Sequence, residues 1–210
     1  VTVIAATGLG TATLAAHQLV FTLYSTLAFA LDALAIAAQA LIGAELGASR
    51  PRQARRLTEV MVRWGLGFGV VTGVLLAALA WVLPPLFTPD PTVQAAATVG
   101  LWVLAAGQPV AGYVFVLDGV LIGAGDARYR ALAGLVNLVV YAPALWVLAQ
   151  VATGGLGWTA AWPGPNAAVP DSGVQLGLLW LGFAGVYMGM RALTLGWRAR
   201  RDDWMRLGVV

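Results

Sequence analysis

The sequence is short of the residues that build metal sites, disulfides and polar surfaces. It contains no cysteine and no lysine, and its one histidine is His17. Without cysteine the sequence has no disulfide framework and no thiolate metal site, and one histidine excludes a site made of several histidines within it. Charged residues make up only 10%, well below the roughly 25% of a typical globular protein. With a mean hydropathy of +0.83, this composition excludes an ordinary water-soluble domain.

Long apolar runs fill most of the sequence. A helix that crosses a bilayer needs about 20 mainly apolar residues, and the lipid core tolerates no unpaired strand edges. The runs of this kind cover residues 12–43, 60–86, 93–122, 129–151 and 175–197. We therefore predict an all-α integral membrane bundle of five full transmembrane helices plus the end of a sixth in residues 1–10, with a loop over 152–174 and a tail over 201–210. Since residue 1 lies in an apolar stretch, we expect a piece of a longer protein.

The arginines are unevenly distributed among the connecting segments. All except Arg63 and Arg191 lie at the connections that follow the first, third and fifth spans: Arg50, Arg52, Arg55, Arg56, Arg128, Arg130, Arg198, Arg200, Arg201 and Arg206. The other two connecting segments contain Asp90 and Asp171 and no arginine. The positive-inside rule then predicts that loops 44–58 and 123–128 and the C-terminus are cytoplasmic, in a bacterial inner membrane. The pI near 9.8 reflects these loops rather than a face that binds nucleic acid.

Asp32 is the residue least expected in its surroundings. It stands in FALDALAIAAQALIG, residues 29–43, which is apolar apart from Asp32 and Gln39. Helix geometry of about 1.5 Å per residue places it roughly 16 Å from Gly43, near the middle of a lipid core about 30 Å thick. A carboxylate there costs roughly 2.5–3.5 kcal/mol on insertion scales. We interpret Asp32 as a group that binds a proton or a cation on the inner face of the bundle. The alternative is a static hydrogen-bond network.

Asp118, in YVFVLDGVLIGAGD, lies a turn or two from a predicted cytoplasmic loop, where a carboxylate is less costly to place. It is a second candidate for cation coupling. The alternatives are a helix cap or a cytoplasmic latch with Arg128 or Arg130. Arg191, near the end of the fifth span, is interpreted as a snorkelling residue whose charged end reaches the interface.

Further polar side chains and prolines interrupt the spans. The candidates for lining a substrate cavity are Gln39, Gln108, Tyr113 and Asn137. Each also suits hydrogen bonding between helices, which averages roughly 0.6 kcal/mol. Pro109 and Pro143 predict kinks within their helices, since proline removes a backbone hydrogen bond. His17 is interpreted as a hydrogen-bonding residue near the external interface.

No arrangement in the sequence indicates catalysis. GLG at 8–10 and GAG at 123–125 end helices and follow no strand, so neither is a dinucleotide-binding fingerprint. There is no spacing typical of a nucleophile with its base, or of metal ligands. The sequence therefore predicts a protein that is not an enzyme and binds no metal or organic cofactor.

Two sequence segments that end in a similar way resemble the sequences of a known family. They are LAAHQL…FALDALAIAAQALIGAELGASRPRQARR, residues 14–56, and QPVAGYVFVLDGVLIGAGDARYR, residues 108–130. In order and spacing they resemble the multidrug and toxic compound extrusion (MATE) family, especially its DinF-like branch. The resemblance covers about residues 1–200.

The resemblance implies a twelve-helix, two-lobe transporter in which this sequence forms most of the C-terminal lobe. It implies export of small organic cations in exchange for H⁺ or Na⁺ by alternating access, with the lipid bilayer and a missing N-terminal lobe as partners. One branch of the family has a cation site with a carboxylate early in the tenth helix. That position falls near Ala111 here, so such a site is not expected. Asp32 and Asp118 match DinF-like positions.

Three alternatives stay open. A lipid-linked oligosaccharide flippase or polysaccharide exporter of the same superfamily is expected to place cationic groups in its cavity. The spans offer only Arg63 and Arg191, each near the basic end of its span. A membrane enzyme needs clustered titratable residues at one interface. A scaffold domain predicts that neutralising Asp32 leaves transport intact.

Overall fold

The structure is a computed structural model, and it describes residues 10–152 and 171–205. All regular secondary structure in these ranges is helical. The helices are α1 (Thr11–Gly47), α2 (Pro51–Leu79), α3 (Leu83–Phe87), α4 (Pro91–Gly123), α5 (Ala127–Ala152), α6 (Ser172–Leu181) and α7 (Met188–Arg200). A π-helical turn, Gly182–Tyr187, joins α6 to α7. Arg206 and nearly all of the predicted helix end at 1–10 and loop at 152–174 lie outside the described residues.

Within these ranges, five helical stretches are long and apolar enough to cross a membrane. They are α1, α2, α4, α5 and the run Ser172–Arg200. This confirms the predicted fold class, an all-α polytopic membrane bundle. The long apolar runs decide it, because a helix pairs its own backbone groups and needs no partner for them in lipid.

The connection predicted over 44–58 is helical for most of its length. Helix α1 continues to Gly47 and α2 begins at Pro51, so residues 48–50 make the connection. Arginine is a good helix former and proline suits the first helical position, so PRQARR extends α2 rather than interrupting it. Ser49 ends α1 with a φ of 58°, in the left-handed conformation common at helix ends. The Arg50 backbone N–H then donates to the carbonyl oxygen of Glu45 at 2.8 Å.

The predicted span 60–86 is divided in the structure. Helix α2 ends at Leu79. The short α3 has proline in its first turn, where the backbone N–H that proline lacks would have had no partner within the helix. Asp90 caps α4, because its carboxylate accepts a hydrogen bond from the Thr92 backbone N–H at 2.8 Å. Asp171 caps α6 through the Val174 backbone N–H, also at 2.8 Å. The two aspartates of the arginine-free connecting segments are therefore helix caps.

Glycines allow α1 and α4 to approach closely. An added Cβ on Gly119 would overlap the backbone of Ala35, and one on Gly123 would overlap the backbone of Gln39. These glycines are four residues apart and so share one helix face. Small residues at this spacing are typical of membrane helices whose backbones touch.

Contacts divide the chain into two compact units, and each long helical stretch contributes to both. The first comprises Val1–Ser25, Gly73–Gly107 and Val139–Tyr187, and the second comprises Thr26–Thr72, Gln108–Leu138 and Met188–Val210. Every arginine of the described ranges belongs to the second unit, whereas Asp90 and Asp171 belong to the first. The second unit thus contains the arginine-bearing connecting segments, and the first unit contains the two caps of the arginine-free ones.

Candidate functional site

Asp32 lies on an exposed face of α1 in the second unit. Phe29 and Ile36, about one turn to either side, are 75% and 65% exposed, so the carboxylate is set in an apolar surface. No hydrogen bond or ion pair links Asp32 to another residue that the structure describes. An unpaired carboxylate is costly in hydrocarbon, so this surface suits contact with water or with another part of the protein better than contact with lipid.

Asp118 lies between two guanidinium groups in the same unit. Its Oδ1 accepts a hydrogen bond from Nε of Arg130 on α5 at 3.2 Å, and its Oδ2 pairs with Nη2 of Arg191 on α7. One carboxylate thus joins α4, α5 and α7. Of the two arginines named as latch partners from the sequence, the structure selects Arg130 and not Arg128.

The interpretation of Arg191 as a snorkelling residue is corrected by this contact. Its side chain is 17% exposed and that of Asp118 is 18% exposed, so the pair is largely withdrawn from water. Exposed ion pairs contribute about 0–1 kcal/mol, whereas removing one partner of a buried pair leaves an uncompensated charge and costs more. Breaking the pair of Asp118 with Arg191 is therefore expected to destabilise this unit.

A second ion pair lies at the turn between α4 and α5. Asp126 is buried, and its Oδ2 accepts a hydrogen bond from Nε of Arg198 at 2.7 Å. The Arg198 guanidinium also lies 5.0 Å from the ring centre of Tyr129, whose hydroxyl donates to the Thr194 carbonyl oxygen at 2.6 Å. Gly125, with a φ of 71°, forms the turn that presents Asp126. This pair was not predicted from the sequence, although GAGD and the arginine-rich end of α7 were assigned to one side of the membrane.

The predicted cavity residues have different surroundings. Gln39 is exposed on α1, whereas Gln108 and Asn137 are buried. Among the described residues, nothing hydrogen-bonds to Oε1 of Gln108 or to either side-chain polar atom of Asn137. Tyr113 is half-buried, with its hydroxyl beside Gly196 of α7. In this part of the chain the four side chains form no hydrogen bond with one another, and their role in a cavity stays a prediction.

Both predicted kink prolines lie inside continuous helices, Pro109 in α4 and Pro143 in α5. Pro109 also marks a close contact between helices. An added Cβ on Gly69 of α2 would overlap the backbone of Gln108 and Pro109. The break in the hydrogen-bond ladder of α4 therefore coincides with the packing of α2 against it.

A cluster of aromatic rings occupies the first unit. Its members, linked in pairs by ring-centre distances of 5.1–6.3 Å, are His17, Phe21, Tyr24, Tyr141, Trp180, Phe183 and Tyr187. The π-helical turn supplies Phe183 and Tyr187, which stack at 5.6 Å. His17 is buried, and neither of its ring nitrogens has a hydrogen-bond partner among the described residues. Ring packing, with the Trp180 ring centre at 5.7 Å, takes the place of the predicted hydrogen bond.

Comparison with known sequences gives a family match and several relatives. The sequence model of the MatE family matches residues 1–147. Protein DETOXIFICATION 44, chloroplastic, of Arabidopsis thaliana is 28% identical over 200 residues, which cover 94% of this chain and 34% of that protein. Protein DETOXIFICATION 42 of the same plant is 26% identical over 189 residues, covering 90% of this chain and 32% of that protein. The chain thus spans about a third of the length of these relatives.

A solved structure matches as well. It is described as the inward-facing conformation of a multidrug resistance MATE family transporter of the MOP superfamily. The TM-score is 0.71 at 21% identity, and the match covers 94% of this chain and 40% of that chain. At this identity the likeness establishes the fold alone.

Proposed function

The chain belongs to the MatE family, whose members are transporters rather than enzymes, and from this premise we propose that it forms part of a secondary active exporter of small organic cations. The proposal includes antiport against H⁺ or Na⁺ and alternating access. Family membership excludes the membrane-enzyme alternative. Because the chain spans about a third of its relatives' length, we further propose that it supplies the C-terminal lobe of a DinF-like protein with two lobes.

The observation that carries the proposal is the exposed carboxylate of Asp32 on an apolar helix face. Such a carboxylate attracts one positive charge at a time, whether H⁺, Na⁺ or a cationic substrate. Competition between ion and substrate for one group couples their movements in opposite directions. The exposed ring of Phe29, one turn away, adds a surface that attracts organic cations.

We propose a different role for Asp118, the second carboxylate that the sequence singled out. Its charge is already matched by Arg130 and Arg191, so a cation or proton would have to displace an ion pair to bind there. The contacts support the latch interpretation, in which Asp118 holds α4, α5 and α7 together in one conformational state. Asp32 then carries the coupling in this part of the protein.

The orientation belongs to the proposal too. The family and the long apolar helices establish a multi-pass membrane protein. Cytoplasmic placement of the arginine-bearing connections and of the C-terminus is supported by the confinement of the described arginines to the second unit. A bacterial inner membrane stays a prediction, and one relative is named as a chloroplastic protein of a plant.

The test uses the full-length protein that carries this sequence, reconstituted in proteoliposomes. Efflux of the fluorescent cation ethidium is followed under an imposed pH gradient or an imposed Na⁺ gradient. We expect one gradient to drive efflux in the wild type, and Asp32→Asn to abolish the gradient-driven component. Asp90→Asn is the matched control, because asparagine keeps the helix cap and the site lies outside the proposed path.

Two outcomes would contradict the proposal. If neither gradient drives ethidium efflux in the wild type, the chain is not part of a cation antiporter. If Asp32→Asn transports as well as Asp90→Asn, Asp32 has no coupling role. Thermal unfolding of each variant establishes that any loss of efflux is not a loss of fold.

A further inference from the structure

One exposed face of α2, in the second unit, carries arginines without acidic partners. Arg52, Arg56 and Arg63 are four and seven residues apart, which places them on the same side of the helix, and all three are exposed. No ion pair or hydrogen bond joins any of them to another residue in the described part of the chain. Arg55, at the edge of this face, pairs with Asp202. The three arginines Arg52, Arg56 and Arg63 therefore differ from Arg55 in having no acidic partner in the described part of the chain.

Glu59 lies on the same face, about one turn from both Arg56 and Arg63. It is exposed and forms no ion pair with either of them. The face keeps a net positive charge, which one carboxylate reduces. Any anion that binds here is held by the guanidinium groups and repelled by Glu59.

A shallow groove begins at Arg63 and continues along the apolar part of α2. It is lined by Arg63, Trp64, Gly67, Phe68 and Val71. An added Cβ on Gly67 would meet no neighbouring atom within 4 Å, and the Trp64 side chain is 67% exposed, so the groove is open. Its lining is charged at one end and apolar along the rest. A ligand that complements it has an anionic group joined to a hydrocarbon chain.

We propose that this face binds an anionic phospholipid, with the phosphate between Arg56 and Arg63 and an acyl chain along Trp64, Phe68 and Val71. Guanidinium groups pair with phosphate oxygens through two parallel hydrogen bonds. Seven residues of helix at about 1.5 Å each separate the two arginines by roughly 10 Å, a span that two such long side chains close from either end.

A lipid is favoured over a soluble anion by the position of the groove. Helix α2 is apolar enough to cross a membrane, and the groove runs into its apolar part. Arginine stems lie along apolar surface while their charged ends reach the headgroups, and tryptophan is enriched at the same depth. The site is separate from the proposed coupling at Asp32 and does not depend on it.

Native mass spectrometry of the full-length protein in detergent tests the proposal. The protein is titrated with phosphatidylglycerol or with phosphatidylcholine of the same acyl chains. The wild type is expected to retain phosphatidylglycerol in preference. The double variant Arg56→Gln with Arg63→Gln is expected to lose that preference several-fold, whereas Glu59→Gln is expected to increase it because the repelling carboxylate is gone. Arg128→Gln, which changes another exposed arginine without an acidic partner, serves as the matched control and leaves the preference unchanged.

Three results would overturn the proposal. Equal retention of the two lipids by the wild type would show that charge plays no part. A loss in Arg128→Gln that equals the loss per removed charge in the double variant would show a general effect of charge rather than a site on α2. Complete displacement of phosphatidylglycerol by millimolar inorganic phosphate would show that the face holds a soluble anion. The changed side chains are exposed, so the variants are expected to fold, and their unfolding temperatures check this.

Discussion

Gly119 and Gly134 allow the same substitution to be made at two helical positions with opposite expected effects on stability. Gly119 of α4 lies against α1, where an added Cβ would overlap the carbonyl oxygen, carbonyl carbon and Cα of Ala35. At Gly134 of α5, an added Cβ would meet no neighbouring atom within 4 Å. Both glycines lie inside their helices. The comparison therefore separates helix propensity from packing.

The expected magnitudes follow from these surroundings. Gly134→Ala changes little except helix propensity, which favours alanine by about 0.5–1 kcal/mol. Gly119→Ala has the same gain, opposed by overpacking that typically costs about 1–3 kcal/mol. The overlap is with backbone, which cannot rotate away as a side chain can, so the upper end of that range applies. The net loss in the free energy of unfolding is then about 2 kcal/mol.

Thermal unfolding of the purified full-length variants in detergent measures both effects. The tryptophans of the chain report unfolding by their fluorescence. Gly119→Ala is expected to unfold below the wild type, and Gly134→Ala at or above it. If Gly119→Ala is as stable as Gly134→Ala, the backbones of α1 and α4 do not meet at Ala35, and the packing of the second unit is different from the one described.

Substitutions at Asp118, Ser49 and Asp171 test local features by the same unfolding measurement. Asp118→Asn removes the negative charge that pairs with Arg191 and Arg130 and is expected to lower the free energy of unfolding by about 1–3 kcal/mol, discounted from the buried-pair range for partial exposure. Its effect should shrink when Arg191→Gln is already present, and strictly additive effects would contradict the pair. Ser49→Gly should raise stability by up to about 1–2 kcal/mol, since glycine adopts positive φ without strain, and no gain would argue against the φ of 58°. Asp171→Ala should cost about 1 kcal/mol by removing the cap of α6, while Asp171→Asn should cost much less, and equal losses would contradict the cap.

The helices themselves were predictable because a long apolar run has one stable form in lipid. Their ends were not, because charged residues were expected to form loops. Gly47 and Pro51 show why this failed: polar residues extend a membrane helix into water when their propensity is helical, as in PRQARR. Pro51 was the available sign that α2 begins there, because proline is common at the first helical position.

Only some of the ion pairs could be predicted from the sequence. Asp118 and Arg130 lie 12 residues apart across one turn, and that proximity suggested a latch. Arg191 lies 73 residues from Asp118 on a separate helix, and nothing in the spacing shows which faces of α4 and α7 meet. The spacing of Gly119 and Gly123, four residues apart, indicates a close helix contact on one face of α4. It does not show that the contact is with Ala35 of α1.

Whether Asp32 borders a water-filled path is tested most directly by thiol labelling. This sequence has no cysteine, so a cysteine-free version of the full-length protein carrying Asp32→Cys provides a single reporter. Leu75→Cys, at an exposed apolar position of α2, is the matched control. With a membrane-impermeant methanethiosulfonate applied to both faces of the membrane, rapid modification at position 32 and little at position 75 is the predicted result. Modification at position 32 that is as slow as at position 75 would contradict a transport path along this face of α1.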